Sequence, residues 1–236
     1  MINSKNFISI SLLTLFNYLI IYYSVNFLDY KLPDSNSYIN YSPKYKSFYP
    51  FLINLVETLN LNLIYIQILV LSFSVIFLSF SIFKKYNLLI SLILYISIII
   101  NFFYTSFSKT ILTESIFFSL INIGIGLFVI NNSKNFSYYI YCFILALLFS
   151  IKSIGFIVVL CFLLLNFLRK DKFNYFKCFL IILLFVVLEN IIFYKKNDTR
   201  SNVLGEMILG KTLFLSGKQS FKIENYPEIY KSILQK

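Results

Sequence analysis

Across residues 62–83 no side chain carries a charge, and the same holds across residues 87–107. This feature constrains the chain more than any other. In hydrocarbon a backbone N–H or C=O finds no water, so a segment must bond its own groups, and short of a closed barrel only a helix does that. About 20 helical residues reach across a hydrocarbon layer of roughly 30 Å. A soluble domain carries about a quarter of its residues as charges. Here 13% of 236 residues are charged and 58% are hydrophobic. The expected fold is all-α: a polytopic membrane helical bundle.

Taken in order, the first span is expected over residues 7–28, with Tyr22, Tyr23 and Tyr30 near its far end as an interfacial aromatic belt. A polar loop follows, residues 29–47. Residues 49–60 are amphipathic and too short to cross, which suits a helix lying in the interface. Further spans are expected over residues 62–83, 87–107 and 115–130. The next apolar region, residues 137–168, would make a helix of about 48 Å, too long for one crossing. Lys152 and Ser153 interrupt it, so two short spans are expected to meet at Lys152. The last span is expected over residues 175–194. That makes about seven spans in a transmembrane core of residues 1–194, followed by a tail of residues 195–236. Lys5, Lys84, Lys85, Lys134, Arg169, Lys170, Lys172 and Lys177 gather on one side of this arrangement. Asp29, Asp34, Glu57 and Glu114 gather on the other. Basic loops stay cytoplasmic, so the N-terminus is expected in the cytoplasm and the tail outside, in a bacterial-type inner or plasma membrane.

The net charge of +11 does not argue for nucleic acid, because the basic residues lie between spans and in the tail. With no histidine in the chain, there is no imidazole base and no histidine-ligated metal. Acid–base chemistry falls to carboxylates. Cys142, Cys161 and Cys178 lie inside apolar segments without metal-ligand spacing and read as small apolar fillers. Gly124 and Gly126 read as helix-packing contacts, since no strand precedes them to form a phosphate loop.

Three polar features converge on the outer side: the Asp29–Asp34 loop, Lys109 with Glu114, and Lys152. A carboxylate near a bilayer is costly unless it is paired or functional. A carboxylate can serve as general base on a hydroxyl, and a lysine can neutralise a phosphate leaving group. Together they suit transfer of a sugar from a lipid-linked phosphate carrier. Each residue also has a plainer reading. Asp34 could cap a short loop helix, and Asp29 could be a solvated span-end residue. Glu114 could simply favour a helix N-terminus, and Lys152 could be a snorkelling lysine. Glu189, inside the last span, reads as snorkelling or as the partner of Lys195 or Lys196, with no chemistry assigned.

Four segments carry a family resemblance. Pro33-Asp34-Ser35-Asn36-Ser37-Tyr38 resembles the acidic motif of a first outer loop, and Tyr49-Pro50-Phe51-Leu52 resembles the tyrosine–proline segment that follows it. Ile111-Leu112-Thr113-Glu114 resembles a second acidic site opening the fourth span. Ile151-Lys152-Ser153-Ile154-Gly155 resembles a later turn, with lysine where the family has arginine. In this order they make the chain similar to membrane glycosyltransferases of the GT-C superfamily. That group includes dolichyl-phosphate-mannose protein mannosyltransferases and the aminoarabinose and rhizobial lipid-A sugar transferases. The resemblance implies a polyprenyl-phosphate-linked sugar donor and an acceptor on the non-cytoplasmic face. It implies Asp34 as base and Glu114 as the residue that orients the acceptor, with Tyr38, Lys109 and Lys152 binding substrate. A divalent metal ion held by Asp34 and Glu114 would be compatible with it. The alternative is a non-catalytic membrane subunit or truncated paralogue in cell-envelope glycan or lipid assembly. A small-solute transporter fits less well, because no charge lies well inside the first four spans.

Overall fold

The computed structural model describes residues 4–24, 31–32, 34–42, 45–130, 136–168 and 175–197. The described elements are all α-helices: α1 (Ser4–Tyr23), α2 (Ser35–Ile39), α3 (Phe48–Thr58), α4 (Leu63–Lys85), α5 (Leu88–Ile100), α6 (Phe102–Phe107), α7 (Thr113–Ile130), α8 (Phe136–Ile151), α9 (Gly155–Leu168) and α10 (Tyr175–Tyr194). Asp29, Lys134, Arg169, Lys170, Lys172 and most of the expected tail lie outside the described residues.

Asparagine sets several of the helix starts. Asn62, Asn87 and Asn101 are the N-caps of α4, α5 and α6, and their Oδ1 atoms accept from the N–H groups of Ile64, Ile90 and Tyr104. A side-chain oxygen there satisfies a backbone donor that the helix itself leaves open. Lys84 and Lys85 close α4, where cations suit the negative end of the helix dipole.

Among the described residues, three helices are long and apolar enough to cross a membrane: α4, α7 and α10. The apolar stretches Ile10–Tyr23 of α1, Leu88–Ile100 of α5, Ser137–Ile151 of α8 and Gly155–Leu168 of α9 are shorter. One expected span differs in kind. Residues 87–107 were expected as one helix, yet Asn101 takes an extended conformation and ends α5. An uncharged Asn still breaks the helix because its side chain caps the next one. The expected interruption at Lys152 is present, between α8 and α9.

The bundle is ordered around α4 and α7, which run side by side in the same direction and share its largest interface. Small and polar residues line the seam between them. A Cβ on Gly126 would come within 2.8 Å of the Phe77 ring, so close approach there requires glycine, in line with packing between apolar helices. Asn122 Nδ2 donates across the seam to Ser74 Oγ at 3.2 Å. On one flank α1 meets α4, with Asn17 Nδ2 donating to the Ser72 carbonyl at 3.4 Å, and Tyr95 of α5 donates to Asn17 Oδ1 at 3.1 Å. On the other flank α8 packs on α7, with α9 and α10 against α8. Cys142 and Cys178 are buried where α8 meets α10, as apolar fillers should be. Large apolar side chains such as Phe156, Leu164, Phe176 and Leu184 stay exposed on the outer helices, a surface that suits lipid better than water.

These pairings sort the helix ends. The described acids, Asp34, Glu57, Glu114 and Glu189, all lie at the end of the bundle that carries α2, α3 and the turn at Lys152. Lys84, Lys85 and Lys177 lie at the opposite end. The amphipathic segment expected over residues 49–60 forms α3. Tyr49, Ile53 and Val56 share one buried face while Leu55 and Glu57 stay exposed.

Candidate active site at the polar end

α7 opens at Thr113, which brings Glu114 into its first turn, where a carboxylate is favoured by the helix dipole. Lys152 reaches it from the α8–α9 turn. Gly155 makes that turn possible: a Cβ there would overlap the Leu148 carbonyl oxygen, so no other residue fits without moving the backbone. The Gly155 N–H donates back to the Lys152 carbonyl at 2.9 Å. Lys152 Nζ donates to Glu114 Oε1 at 2.6 Å and stands 5.9 Å from the centre of the Phe117 ring. The side chains are 32% and 24% exposed, so the pair is open to a ligand rather than sealed in the core.

The first loop docks onto the start of α7. Ser35 Oγ accepts from the Leu32 N–H at 3.0 Å and donates to the Ile111 carbonyl at 2.9 Å. Thr113 Oγ1 donates to Glu114 Oε2 at 3.2 Å and lies 3.5 Å from the Tyr38 hydroxyl, which is left to donate to it. The Tyr45 hydroxyl stands close enough to the Asp34 carboxylate to feel its field, and the Tyr45 ring lies 4.6 Å from that of Tyr38. The two tyrosines thus stand between the two carboxylates. Burial pushes the Tyr38 hydroxyl up to about 12, against the lowering effect of its bond to Thr113. The negative fields of Glu114, Tyr45 and Asp34 add to the rise. Burial is also the main cause raising Tyr45, followed by the field and hydrogen bond of Asp34. Both phenols therefore stay protonated and act as donors.

Asp34, Tyr38, Glu114 and Lys152, expected together from the sequence, share this cluster. Asp34 is exposed. It stands at the N-cap of α2, but its side chain makes no capping bond there. Its carbonyl, not its carboxylate, accepts from Ser37 and Tyr38. Lys109 does not join them. It is buried, and its Nζ donates to the Ser24 carbonyl just beyond α1. Burial lowers its pKa. A lysine beside a Glu in sequence reads the same whichever way it turns, and this one ties α1 to the link before α7.

Sequence reasoning assigned Glu189 no role in the site and offered it Lys195 or Lys196. Its partners lie instead in the first loop. Glu189 is 1% exposed. Its Oε1 accepts from the Ser47 N–H at 2.9 Å, and Lys46 Nζ lies 3.8 Å from Oε2. Lys46 also stands 5.3 Å from the Phe149 ring centre, one helical turn before Lys152. The available signal was an acid inside an apolar span, which by default marks function. Its partner, 142 residues away, could not be read from spacing.

The residues do not suit a divalent metal held by Asp34 and Glu114. The Lys152 ammonium already occupies the place beside Glu114 that a cation would take. Among the described residues, no group of three or more His, Cys, Asp or Glu side chains could hold a metal ion. Comparison with protein-family models, with curated proteins and with solved structures found no match to this chain.

Proposed function

We propose that this chain is a membrane glycosyltransferase of the GT-C type, moving a sugar from a polyprenyl-phosphate-linked donor to an acceptor on the non-cytoplasmic face. One observation carries the reading: Asp34, Glu114 and Lys152, from three loops far apart in sequence, meet at one end of an apolar bundle, with Lys152 Nζ 2.6 Å from Glu114 Oε1. Asp34 is the base that takes the acceptor proton, since its carboxylate is exposed and makes no capping bond to α2. Glu114, with one oxygen on Lys152 and the other on Thr113, orients rather than abstracts. Lys152 balances the departing lipid phosphate. In this reading α1, α5 with α6, α8 and α9 also cross, making about seven spans, with the N-terminus cytoplasmic and the polar end outside.

Two measurements test it. Membranes containing the chain should transfer label from a lipid-linked sugar, and the Asp34→Asn variant should not. A reporter fused after Asn197 should lie outside; a cytoplasmic reporter would separate the polar end from the face on which such donors are used. The tight Glu114–Lys152 pair favours one alternative, a non-catalytic membrane subunit in which that pair is a structural tie. Absence of transfer with any lipid-linked sugar would favour it.

A further inference from the structure

We infer that Glu189 is a positioning residue: it latches α10 to the loop that carries Asp34 and Tyr45, and so fixes where those groups stand relative to Glu114 and Lys152. Its kinetic consequence rests on the reading of the polar end as a transfer site; its structural consequence does not.

A carboxylate inside an apolar span is retained where it is paired, and the two oxygens of Glu189 face two adjacent residues. Oε1 takes the Ser47 N–H at the start of α3, a backbone donor that the helix leaves open. Oε2 faces Lys46. One residue earlier, Tyr45 stands beside Asp34 and feels its charge. A displacement at Ser47 is therefore passed toward the proposed base through Lys46 and Tyr45.

A second observation points the same way. Tyr41 has φ 50°, a left-handed conformation that a residue with a Cβ adopts at a cost and keeps only where its surroundings impose it. Two of the groups that hold it follow α10 directly. Asn197 Nδ2 donates to the Tyr41 carbonyl at 2.9 Å, and Lys196 Nζ lies 5.6 Å from its ring centre. Asn54 of α3 shares a hydrogen bond with its hydroxyl. The loop is thus fixed on one edge to α7, through Ser35 and Tyr38, and on the other to α10, through Tyr41 and Ser47. Glu189 meets this loop at Ser47 and Lys46, and it acts through them.

Limited trypsin cleavage of the full chain in lipid nanodiscs tests the latch without requiring transfer activity. The rate of cutting after Lys46, relative to the exposed Lys31, reports opening of the latched edge. Glu189→Leu should raise that ratio about tenfold or more, because local opening sets the cleavage rate. Glu189→Gln, which keeps an acceptor for Ser47 but loses the charge facing Lys46, should fall between it and the parent. An unchanged ratio in Glu189→Leu overturns the latch. Cutting after the buried Lys109 would reveal loss of the whole fold in the Leu variant. In that case the Gln variant decides, and a parental ratio there overturns the latch. Positioning is read from kinetics: Glu189→Gln should lower kcat about tenfold while leaving the KM for the lipid-linked sugar within about threefold. A parental kcat in a variant whose loop edge has opened overturns the positioning role. If no chain transfers sugar at all, the functional reading fails while the cleavage ratio still decides the latch.

Discussion

The α4–α7 seam and the polar end both bury polar groups in a chain that has few, and they do so in opposite ways. Along the seam the groups are neutral and short. Ser74, Ser81 and Ser119 donate to carbonyls three or four residues earlier in their own helices, and Asn122 joins them across the interface. At the polar end the partners lie 38, 75 and 142 residues apart, and several are charged. Local bonds let two helices approach closely without leaving donors open. Long-range charged contacts are not needed for that, and in apolar surroundings they are expensive. Among the described residues such contacts gather at the polar end, and that contrast supports placing the proposed site there. The buried side-chain atoms without a hydrogen-bond partner among the described residues, Gln67 Oε1, Ser106 Oγ and Ser115 Oγ, also lie toward the polar end.

The sharpest way to break this contrast is Asp34→Asn. Asn at this exposed, non-capping position keeps the size and shape of the side chain, so thermal stability should stay parental. It cannot take a proton, so transfer should fall by about 10²–10⁴-fold, the usual worth of a general base. Parental transfer by this variant would make the polar end a structural feature like the seam. Next in size is Lys152. Lys152→Arg should keep donor binding and Lys152→Gln should weaken it about ten- to a hundred-fold, the worth of a charge-assisted contact. Equal donor affinity in the Gln variant, measured by titration of the purified chain, would reduce Lys152 to a structural tie.

The seam has its own probe in Gly126→Ala. The added Cβ would press on the Phe77 ring at 2.8 Å and on Ser81 Oγ at 3.1 Å. Overpacking of this kind costs about 1–3 kcal/mol. Unfolding in lipid nanodiscs should show that loss with donor affinity unchanged. A change in donor affinity would mean that the seam transmits to the site.

The sequence revealed what long apolar runs and rare charges can reveal. The spans around α4, α7 and α10 stand out because each is long and dominated by apolar side chains. The break at Lys152 follows from the mismatch between run length and bilayer thickness. Asn101 escaped notice because an uncharged residue does not interrupt a hydropathy run, although its side chain ends one helix and caps another. The cluster of Asp34, Tyr38, Glu114 and Lys152 was legible because topology alone brings loop residues to one end. Lys109 and Glu189 were not, for a shared reason. Whether a charged side chain at a span end turns toward solvent or inward is set by partners 85 and 142 residues away, which no local pattern encodes.

The smallest effect is expected at Asn122, and it tests whether the seam is packing alone. Asn122 Nδ2 donates to Ser74 Oγ at 3.2 Å and to the Tyr104 hydroxyl at 2.6 Å, so Asn122→Leu removes two hydrogen bonds from an apolar interface at little change in size. Water-excluded surroundings would make an orphaned donor severe, yet neither partner is left with one by this change. Ser74 still donates to the Leu71 carbonyl, and both Ser74 and the Tyr104 hydroxyl forfeit only an accepted bond. Polar contacts between helices in a bilayer average about 0.6 kcal/mol and rarely exceed about 1.7 kcal/mol, because the separated helices also find partners. Asn122→Leu should therefore cost less than about 2 kcal/mol in nanodisc unfolding and leave transfer intact. A larger loss, or a fall in transfer at parental stability, would show that the polar network of the seam continues into the site, and the division between the two regions would have to be redrawn around Tyr104.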